Sequence, residues 1–294
     1  MLKATQTTLL YIFTFISLPV FSQISIKDDT WQTISLEQPA QRIISLSPGI
    51  TELVFAAGGG DKLIGAVSYS DYPQQAKKIP RIGSYDALDI EQILALQPDL
   101  VIAWQSGNPE HQIRQLKSLG LKVYITEPEN FSSIPETLRK LGPLMGSDKK
   151  AETSARQFEQ KFDELKRQYQ SNQSRPTVRT FIQIWNNPLM SVNGQHLISK
   201  VIEFCGGSNV FAQSRTLTST PSIEAILAKD PQVIIATGMA DSSRQWLKRW
   251  QQWPFLSAVK NKRLYAANPD HLVRHTPRIL LGIEEVCKLI QKQN

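Results

Sequence analysis

The sequence predicts an α/β protein in which two similar lobes, each with a parallel sheet, are joined by one long helix. Three observations support this: an internal repeat, an alternation of strands and helices, and a long polar helical segment between the two halves. The repeat pairs residues 90–103 (IEQILALQPDLVIA) with residues 223–236 (IEAILAKDPQVIIA), and eight of the fourteen positions are identical. Repeats indicate duplicated units, so we expect a cleft between two lobes, where small molecules bind.

The first half of the chain alternates apolar strands with helices. Glycines at 58–60 and 120 follow two of the helices, and Asp89 is placed to cap the start of a third. This alternation favours a parallel sheet with both faces covered. The predicted strands cover 41–47, 63–67, 100–104 and 121–125, the predicted helices cover 50–57, 90–96 and 109–119, and 84–88 is predicted as a loop.

A long segment without Gly or Pro, residues 147–171, interrupts this alternation. Phe158, Phe162, Leu165 and Tyr169 recur in it at helical spacing, which predicts one helix of about 22 residues and roughly 33 Å. The segment is too polar for a central core helix, so we interpret it as a rigid connector lying across the two lobes.

The strand–helix alternation restarts after the connector. Gly206 and Gly207 follow a predicted helix at the same point as the three glycines of the first half, which supports the duplication. The predicted strands cover 177–185, 233–237 and 263–266, and the predicted helices cover 196–204, 223–228, 246–250 and 277–291.

The N-terminus has the pattern of a secretory signal peptide. Lys3 is followed by an apolar stretch at 9–21, which is shorter than the roughly 20 apolar residues needed to span a bilayer. We expect cleavage after about Ser22; the alternative is a buried N-terminal helix. Since the cleavage point has no Cys to carry a lipid, we expect a soluble product in the periplasm. The predicted division is a signal peptide at 1–22, a first lobe at 23–145, the connecting helix at 146–172 and a second lobe at 173–294.

Charge and cysteine usage narrow the classes of partner. The formal net charge of +7 is spread among acidic residues, and basic runs with interleaved aromatics are absent from the sequence, so nucleic acid is not an expected partner. The two cysteines, Cys205 and Cys287, are expected to pair in an exported chain. A Cys–His catalytic pair and zinc binding are the alternatives.

Two glutamates, Glu91 and Glu224, occupy matched positions at the start of the repeated helices. A carboxylate in the first turn interacts favourably with the helix dipole, and this alone explains either residue. Alternatively, the pair forms a symmetric docking face, one carboxylate per lobe, for a basic partner. Spacing alone leaves both interpretations open.

Several aromatic residues fall in predicted loops or at strand ends. Core packing explains most aromatics, but the strand ends of an open parallel sheet border the ligand crevice, and several rings there suit a large, flat, partly apolar ligand. Asp270 and Arg274, four residues apart, either pair with each other or offer polar contacts to a ligand. The aromatic residues concerned are Tyr69, Tyr72, Tyr85, Trp104 and Trp185.

The sequence gives little support for an enzyme. His271 and His275, with Asp270, are the candidate ligands of a metal-dependent hydrolase, but no glutamate lies between the histidines as in an HExxH motif. The sequence also lacks a GxSxG nucleophile motif. We therefore expect neither catalysis nor a resident metal or cofactor.

Five segments resemble the family of periplasmic vitamin B12-binding proteins of cobalamin ABC importers, within the helical-backbone metal-chelate-binding proteins. IEQILALQPDLVIAW marks the broader class, while the SYSDYP, LVIAW and D-x-x-x-R-x-x-P-R patterns are more specific to the cobalamin members. The segments are 42–57 (RIISLSPGITELVFAA), 65–73 (GAVSYSDYP), 90–104, 204–211 (FCGGSNVF) and 270–281 (DHLVRHTPRILL).

The resemblance implies two Rossmann-like lobes with parallel sheets, bridged by one long backbone helix and showing little hinge motion. It implies cobalamin as a transported ligand rather than a cofactor, and a protein that is monomeric when free. Glu91 and Glu224 match glutamates that dock onto the permease subunits of the transporter, and Cys205 and Cys287 match the family disulfide. The implied ligand-binding residues are Pro48, Gly49, Tyr69, Trp104, Asp270 and Arg274.

Two positions depart from the family pattern. Tyr85 and Thr218 stand where well-known members have tryptophan; Tyr85 can still stack on a ligand, whereas Thr218 cannot. Trp185 is the second-lobe ring expected to compensate. The departures leave open weaker binding or a different corrinoid. A haem- or ferric-siderophore-binding protein of the same class is the alternative function.

Overall fold

The computed structural model describes residues 23–170, 176–238 and 242–292. The predicted signal peptide lies outside the described residues, and so does the predicted domain boundary at 172/173. Within the described part of the chain, none of the helices has the length and apolar character needed to cross a bilayer.

The first lobe contains a four-stranded parallel sheet in which two apolar strands are central. The central strands, β3 and β7, are buried along almost their whole length because helices cover both faces. The four predicted strands are confirmed, while two short hairpins, β1–β2 and β5–β6, were not predicted. In chain order the elements are β1 (Ile24–Lys27), β2 (Thr33–Leu36), β3 (Ile43–Ser45), α1 (Pro48–Ala56), β4 (Leu63–Ala66), β5 (Gly83–Ser84), β6 (Ala87–Leu88), α2 (Ile90–Ala95), β7 (Leu100–Trp104), α3 (Glu110–Ser118) and β8 (Val123–Thr126), and the sheet order is β4-β3-β7-β8.

Two antiparallel helices, α4 (Ser133–Met145) and α5 (Asp148–Tyr169), follow the first lobe. Gly146, with a φ of 65°, ends α4 in the left-handed conformation, and the chain reverses directly into α5. Arg139 of α4 donates to Glu152 and Glu159 of α5, both at 2.7 Å. The predicted 22-residue helix is confirmed, but α4 was missed.

The long helix α5 takes part in a core that both lobes share. Ala155, Phe158 and Leu165 are buried in one apolar cluster with side chains from both sheets. The ring of Phe162 lies 4.8 Å from Phe131 before α4 and 5.4 Å from Phe204 in the second lobe. The helix therefore bridges the lobes, as predicted, because its apolar stripe is buried against both of them.

The second lobe repeats the parallel arrangement with the sheet order β12-β9-β14-β15 and adds a small antiparallel sheet, β10-β11-β13. Cys205, at the end of α6, is bonded to Cys287 in α11, so the predicted disulfide is confirmed. In chain order the elements are β9 (Val178–Gln183), β10 (Trp185–Asn186), β11 (Leu189–Val192), α6 (Leu197–Phe204), β12 (Gly207–Asn209), β13 (Thr218–Ser219), α7 (Ile223–Lys229), β14 (Val233–Ala236), α8 (Ser242–Trp250), α9 (Ser257–Lys260), β15 (Leu264–Ala266), α10 (Pro269–Leu272) and α11 (Ile279–Gln291).

The duplication seen in the sequence extends to the hydrogen bonds around α2 and α7. Asp89 and Ser222 cap these helices, each accepting from the backbone N–H three residues later. Gln97 and Asp230 follow them with φ values of 45° and 43°. The same local folding therefore places Glu91 and Glu224 in equivalent surroundings in the two lobes.

Two arginines in corresponding places, Arg42 just before β3 and Arg179 in β9, complete the repeat. The Nε of Arg42 donates to the carbonyl of Gln97 at 3.1 Å, and the Nε of Arg179 donates to the carbonyl of Asp230 at 3.0 Å. Each guanidinium thus satisfies a carbonyl just beyond the helix end, where cations are favourable. Neither arginine lies in the fourteen-residue repeat, so the structural similarity is longer than the sequence similarity.

Candidate functional site

In both parallel sheets, the carboxyl ends of the strands lie beside the boundary between the two lobes. Pro48 and Gly49 begin α1 directly after β3, and Ser47 caps this helix. A Cβ built on Gly49 would lie 3.7 Å from Thr276 and 3.8 Å from Arg274, both in the second lobe. The first turn of α1 therefore packs against the segment after α10, and the predicted residues Gly49 and Arg274 come together.

Arg274 reaches from the second lobe into the first. Its guanidinium lies 2.9 Å from Asp71, 2.9 Å from Asp270 and 3.2 Å from the carbonyl of Tyr69. Burial alone would lower the pKa of Arg274, but hydrogen bonds to Asp71 and Glu52 reverse this and raise it. The predicted pair Asp270–Arg274 exists, and it belongs to a larger inter-lobe contact.

Glu52 is the centre of this contact and was missed in the sequence. Its side chain is only 2% exposed, and its carboxylate lies 3.0 Å from Arg274 and 2.8 Å from Arg278. The hydroxyl of Thr276 donates to its other oxygen at 2.8 Å. A lone carboxylate within the apolar helix at 50–57 was the available signal, since a buried charge requires partners.

We call Glu52, Asp71, Asp270, Arg274 and Arg278 the inter-lobe ion network. It contains three carboxylates and two guanidinium groups, so its formal charge is −1 when all are ionised. The guanidinium of Arg278 also lies 4.2 Å from the ring centre of Tyr72, in cation–π geometry. The arginines where the two lobes meet are therefore already neutralised by protein side chains.

Tyr69 is held in an unusual backbone conformation beside this network. Its φ is 64°, which is costly for a residue other than glycine, and its carbonyl accepts from Arg274. The residue as a whole is 63% exposed. The strained turn therefore presents a large aromatic surface to solvent at the carboxyl end of β4.

Tyr85 and Trp104 form an aromatic pair at the same edge of the first sheet. Their ring centres are 5.9 Å apart with a 53° angle between the planes. Asn108 positions both residues, because its side-chain amide donates to the carbonyl of Tyr85 and its oxygen accepts from the N–H of Trp104. A Cβ on Gly107 would lie 1.9 Å from the Trp104 ring, so only glycine leaves room for the ring in this position.

Trp185 is an exposed ring of the second lobe. It is 46% exposed, and its ring packs edge-on against Trp246, 6.2 Å away, rather than against the first-lobe aromatics. The side chain of Gln183 secures the turn after β9 by donating to Asn186 at 3.2 Å and accepting from Trp250 at 3.0 Å. Thr218 is exposed on β13. The sequence had indicated neither Gln183 nor Trp246.

The histidines that were considered as metal ligands contact other protein side chains instead. His271 lies 3.8 Å from Glu285, while the ring of His275 packs on His196, 5.2 Å away. Burial, more than the nearby charges, lowers the pKa of His196 to about 3 and lowers that of His275. Among the described residues, no group of three His, Cys, Asp or Glu is arranged to hold a metal ion.

Glu91 and Glu224 are both exposed in the first turns of α2 and α7. Hydrogen bonds from its own backbone N–H and from the Ser222 hydroxyl lower the pKa of Glu224, so this carboxylate is charged at neutral pH. Neither glutamate belongs to the inter-lobe ion network.

The two lobes and their exposed rings define a two-lobe substrate-binding protein. The family model of periplasmic binding proteins matches residues 43–271, so the chain belongs to this family. It is 39% identical over 258 residues to the vitamin B12-binding protein of Vibrio cholerae, with 87% of this chain and 92% of that protein covered. The corresponding protein of Yersinia pestis is 37% identical over 251 residues, which cover 85% of this chain and 86% of that protein.

Solved structures of periplasmic binding proteins share the fold of this chain. The crystal structure of the periplasmic vitamin B12 binding protein BtuF of Vibrio cholerae has a TM-score of 0.79 and 38% identity, and covers 87% of this chain and 99% of that chain. The haem-binding protein RhuT of Roseiflexus sp. RS-1 has a TM-score of 0.74 at 22% identity, covering 85% of this chain and 98% of that one. The latter likeness concerns the fold alone.

Proposed function

We propose that this protein captures cobalamin in the periplasm and delivers it to an ABC importer in the inner membrane. The relatives with 37–39% identity are named vitamin B12-binding proteins. The proposed binding role rests above all on the exposed aromatic rings that follow strands of both sheets, namely Tyr69, Tyr85 and Trp185. The residues proposed to contact the ligand are Pro48, Gly49, Tyr69, Tyr85, Trp104, Trp185, Asp270 and Arg274.

The chemistry of these residues suits a corrinoid. A corrin ring is large and partly apolar, and its amide side chains are uncharged donors and acceptors. Tyr69, Tyr85 and Trp185 expose 42–63% of their surface to solvent and can cover such a ring, while Asp270 can accept from an amide. A preformed wall of this kind reduces the ordering cost of binding. The ligand is held without chemical change.

The charge of the cleft edge argues against haem and against anionic siderophores. Both arginines of the inter-lobe ion network are paired with carboxylates, and the network carries a formal charge of −1. The two propionates of haem would therefore meet repulsion where a siderophore or haem carrier needs free cations.

A calorimetric titration of the mature protein tests this proposal. Cyanocobalamin should bind with one site per chain at micromolar protein, whereas haemin and a ferric siderophore should bind at least a hundredfold more weakly. Heat from haemin or the siderophore, with none from cyanocobalamin, would contradict the proposed ligand.

Glu91 and Glu224 are proposed to dock the loaded protein, as a monomer, onto the permease. Their matched, exposed positions offer one carboxylate per lobe to basic residues of the two permease subunits, and charges of this kind fix orientation. The proposed route to the periplasm is export through a signal peptide removed after about Ser22.

Changing Glu91 and Glu224 to Ala together tests the docking role separately from ligand capture. The double variant should lose binding to the purified importer while its cyanocobalamin affinity changes less than twofold. A control double variant, Glu37→Ala with Glu203→Ala, removes the same charge from exposed positions, one in each lobe. Equal effects of the two double variants on importer binding would argue against specific docking.

A further inference from the structure

We infer that Glu52 is a positioning residue that fixes the separation of the two lobes and so keeps the cleft preformed in the free protein. This inference rests on the proposed function for its ligand, but its structural basis is independent of that function.

Every partner of the Glu52 carboxylate belongs to the second lobe, although Glu52 itself lies in α1 of the first. One oxygen accepts from Arg274 at 3.0 Å and Arg278 at 2.8 Å, and the other accepts from Thr276 at 2.8 Å. One first-lobe side chain therefore restrains three positions along a five-residue stretch of the second lobe.

The restraint is rigid because the carboxylate is almost fully buried. A buried carboxylate that loses its partners carries a large desolvation penalty, so separation of the lobes at this point is strongly unfavourable. A surface ion pair, by contrast, is easily replaced by water. Glu52 is 2% exposed, whereas the side chain of Asp71 in the same network is 46% exposed.

The residues restrained in this way include residues proposed to contact the ligand. Arg274 holds Asp270 and the carbonyl of Tyr69, and Arg278 lies over the ring of Tyr72. Glu52 thus acts on the ligand wall through the two arginines and need not touch the ligand. Without it, we expect the lobes to sample several separations, and binding must then pay for ordering them.

The test compares Glu52→Gln with the wild type by pulsed electron paramagnetic resonance. Spin labels at Lys77 and Gln213, exposed on the first and second lobes, report the lobe separation, and both native cysteines are occupied by the disulfide. The wild type should give one narrow distance distribution, the same with and without cyanocobalamin. Glu52→Gln should be broad when free, narrow when bound, and at least tenfold weaker in cyanocobalamin affinity.

Two further variants separate positioning from general destabilisation. Glu284→Gln removes a carboxylate that pairs with Lys161 of the connecting helix, and it should leave both distribution and affinity unchanged. Thr276→Val removes one of the three Glu52 contacts and should give a smaller broadening; it decides the matter if Glu52→Gln does not fold.

A free Glu52→Gln protein with a distribution as narrow as the wild type would overturn the inference, even if its affinity falls. A wild type that is already broad without ligand would overturn it as well. If the wild type fails to bind cyanocobalamin, the proposed function is wrong, while the distributions of the free proteins still decide the role of Glu52.

Discussion

The position of Trp104, one of the residues proposed to contact the ligand, depends on its small neighbours. The indole ring occupies space that only a glycine at 107 leaves free. The backbone N–H of Trp104 donates to the side-chain oxygen of Asn108. Asn108 also donates to the carbonyl of Leu46 at the end of β3, so it joins three loops. The orientation of the ring is therefore set by residues that present no binding group themselves.

Trp104→Ala should weaken cyanocobalamin binding by about tenfold to a hundredfold, since the loss of an aromatic stacking surface costs roughly 1–3 kcal/mol. Gly107→Ala should weaken it comparably, because the added methyl group displaces the ring without removing it. Calorimetry measures both effects. Trp31→Ala is the control, because Trp31 is 82% exposed on the β1–β2 turn; a Trp31 effect equal to that of Trp104 would contradict the assignment.

Side-chain type and position between the predicted strands were enough to place Tyr69, Tyr85, Trp104 and Trp185 in loops or at strand ends. Glu52 could not be predicted to pair with Arg274, because the two are more than 200 residues apart and no local pattern connects them. The same holds for any side chain whose role depends on which lobe it faces.

At the scale of elements, the disulfide links the end of α6 to α11 inside the second lobe. Cys205 and Cys287 are fully buried and 82 residues apart in sequence. In the chain-entropy model, a crosslink that closes a loop of this length limits the unfolded ensemble substantially. The bond therefore stabilises the second lobe independently of the ligand.

Changing both cysteines to Ala should lower the free energy of unfolding by about 2–5 kcal/mol. Guanidinium denaturation followed by circular dichroism measures this, and reducing agent should have little further effect on the double variant. If the double variant matches the oxidised wild type in midpoint and slope, the stabilising role is wrong.

Strongly periodic elements were predictable from the sequence, and locally ambiguous ones were not. The 22 residues of α5 contain no breaker and show clear helical spacing, and they fold as predicted. Helix α4 was missed because Pro135 and Pro143 lie inside it; the first sits in its opening turn, where proline is tolerated. The β1–β2 hairpin was missed although its strands, ISIK and TISL, alternate apolar and polar residues, because each has only four residues, the shortest length at which such an alternation indicates a strand.

The two lobes are joined by a shared apolar core and by polar contacts between α1 and the segment that follows α10. The aromatic group around Phe162 connects them through α5. The Nδ1 of His275 in the second lobe donates to the carbonyl of Pro128 in the first lobe at 2.9 Å. Such a molecule is expected to bind its ligand with little lobe rotation.

The buried pair His196–His275 makes stability depend on pH. The folded-state pKa of His196 is about 3, below its ordinary value of 6.5, mainly because of burial and then because of His275 and Lys200. For His275, burial and Lys200 lower the pKa while Glu127 raises it, with a net lowering. The unfolded chain therefore binds more protons, so stability is lost as pH falls below about 6.5.

Between pH 7.5 and pH 5, the contribution of His196 to the free energy of unfolding should fall by about 2 kcal/mol, at about 1.4 kcal/mol per pH unit below 6.5, and His275 should lower it further. Urea unfolding at both pH values measures the difference. His196→Asn keeps an acceptor for the N–H of Ile198 at the helix cap and should flatten the dependence. An unchanged slope in this variant would exclude His196 as its source.

We propose that a preformed cleft, lined by rings from both lobes, holds an intact corrinoid. The decisive experiment is a crystal structure of the complex with cyanocobalamin. The corrin should lie between Trp185 on one side and Tyr69 and Trp104 on the other, with the lobes arranged as in the free protein. A corrin bound elsewhere on the surface, or lobes that rotate substantially to close on it, would rule out this mode of binding.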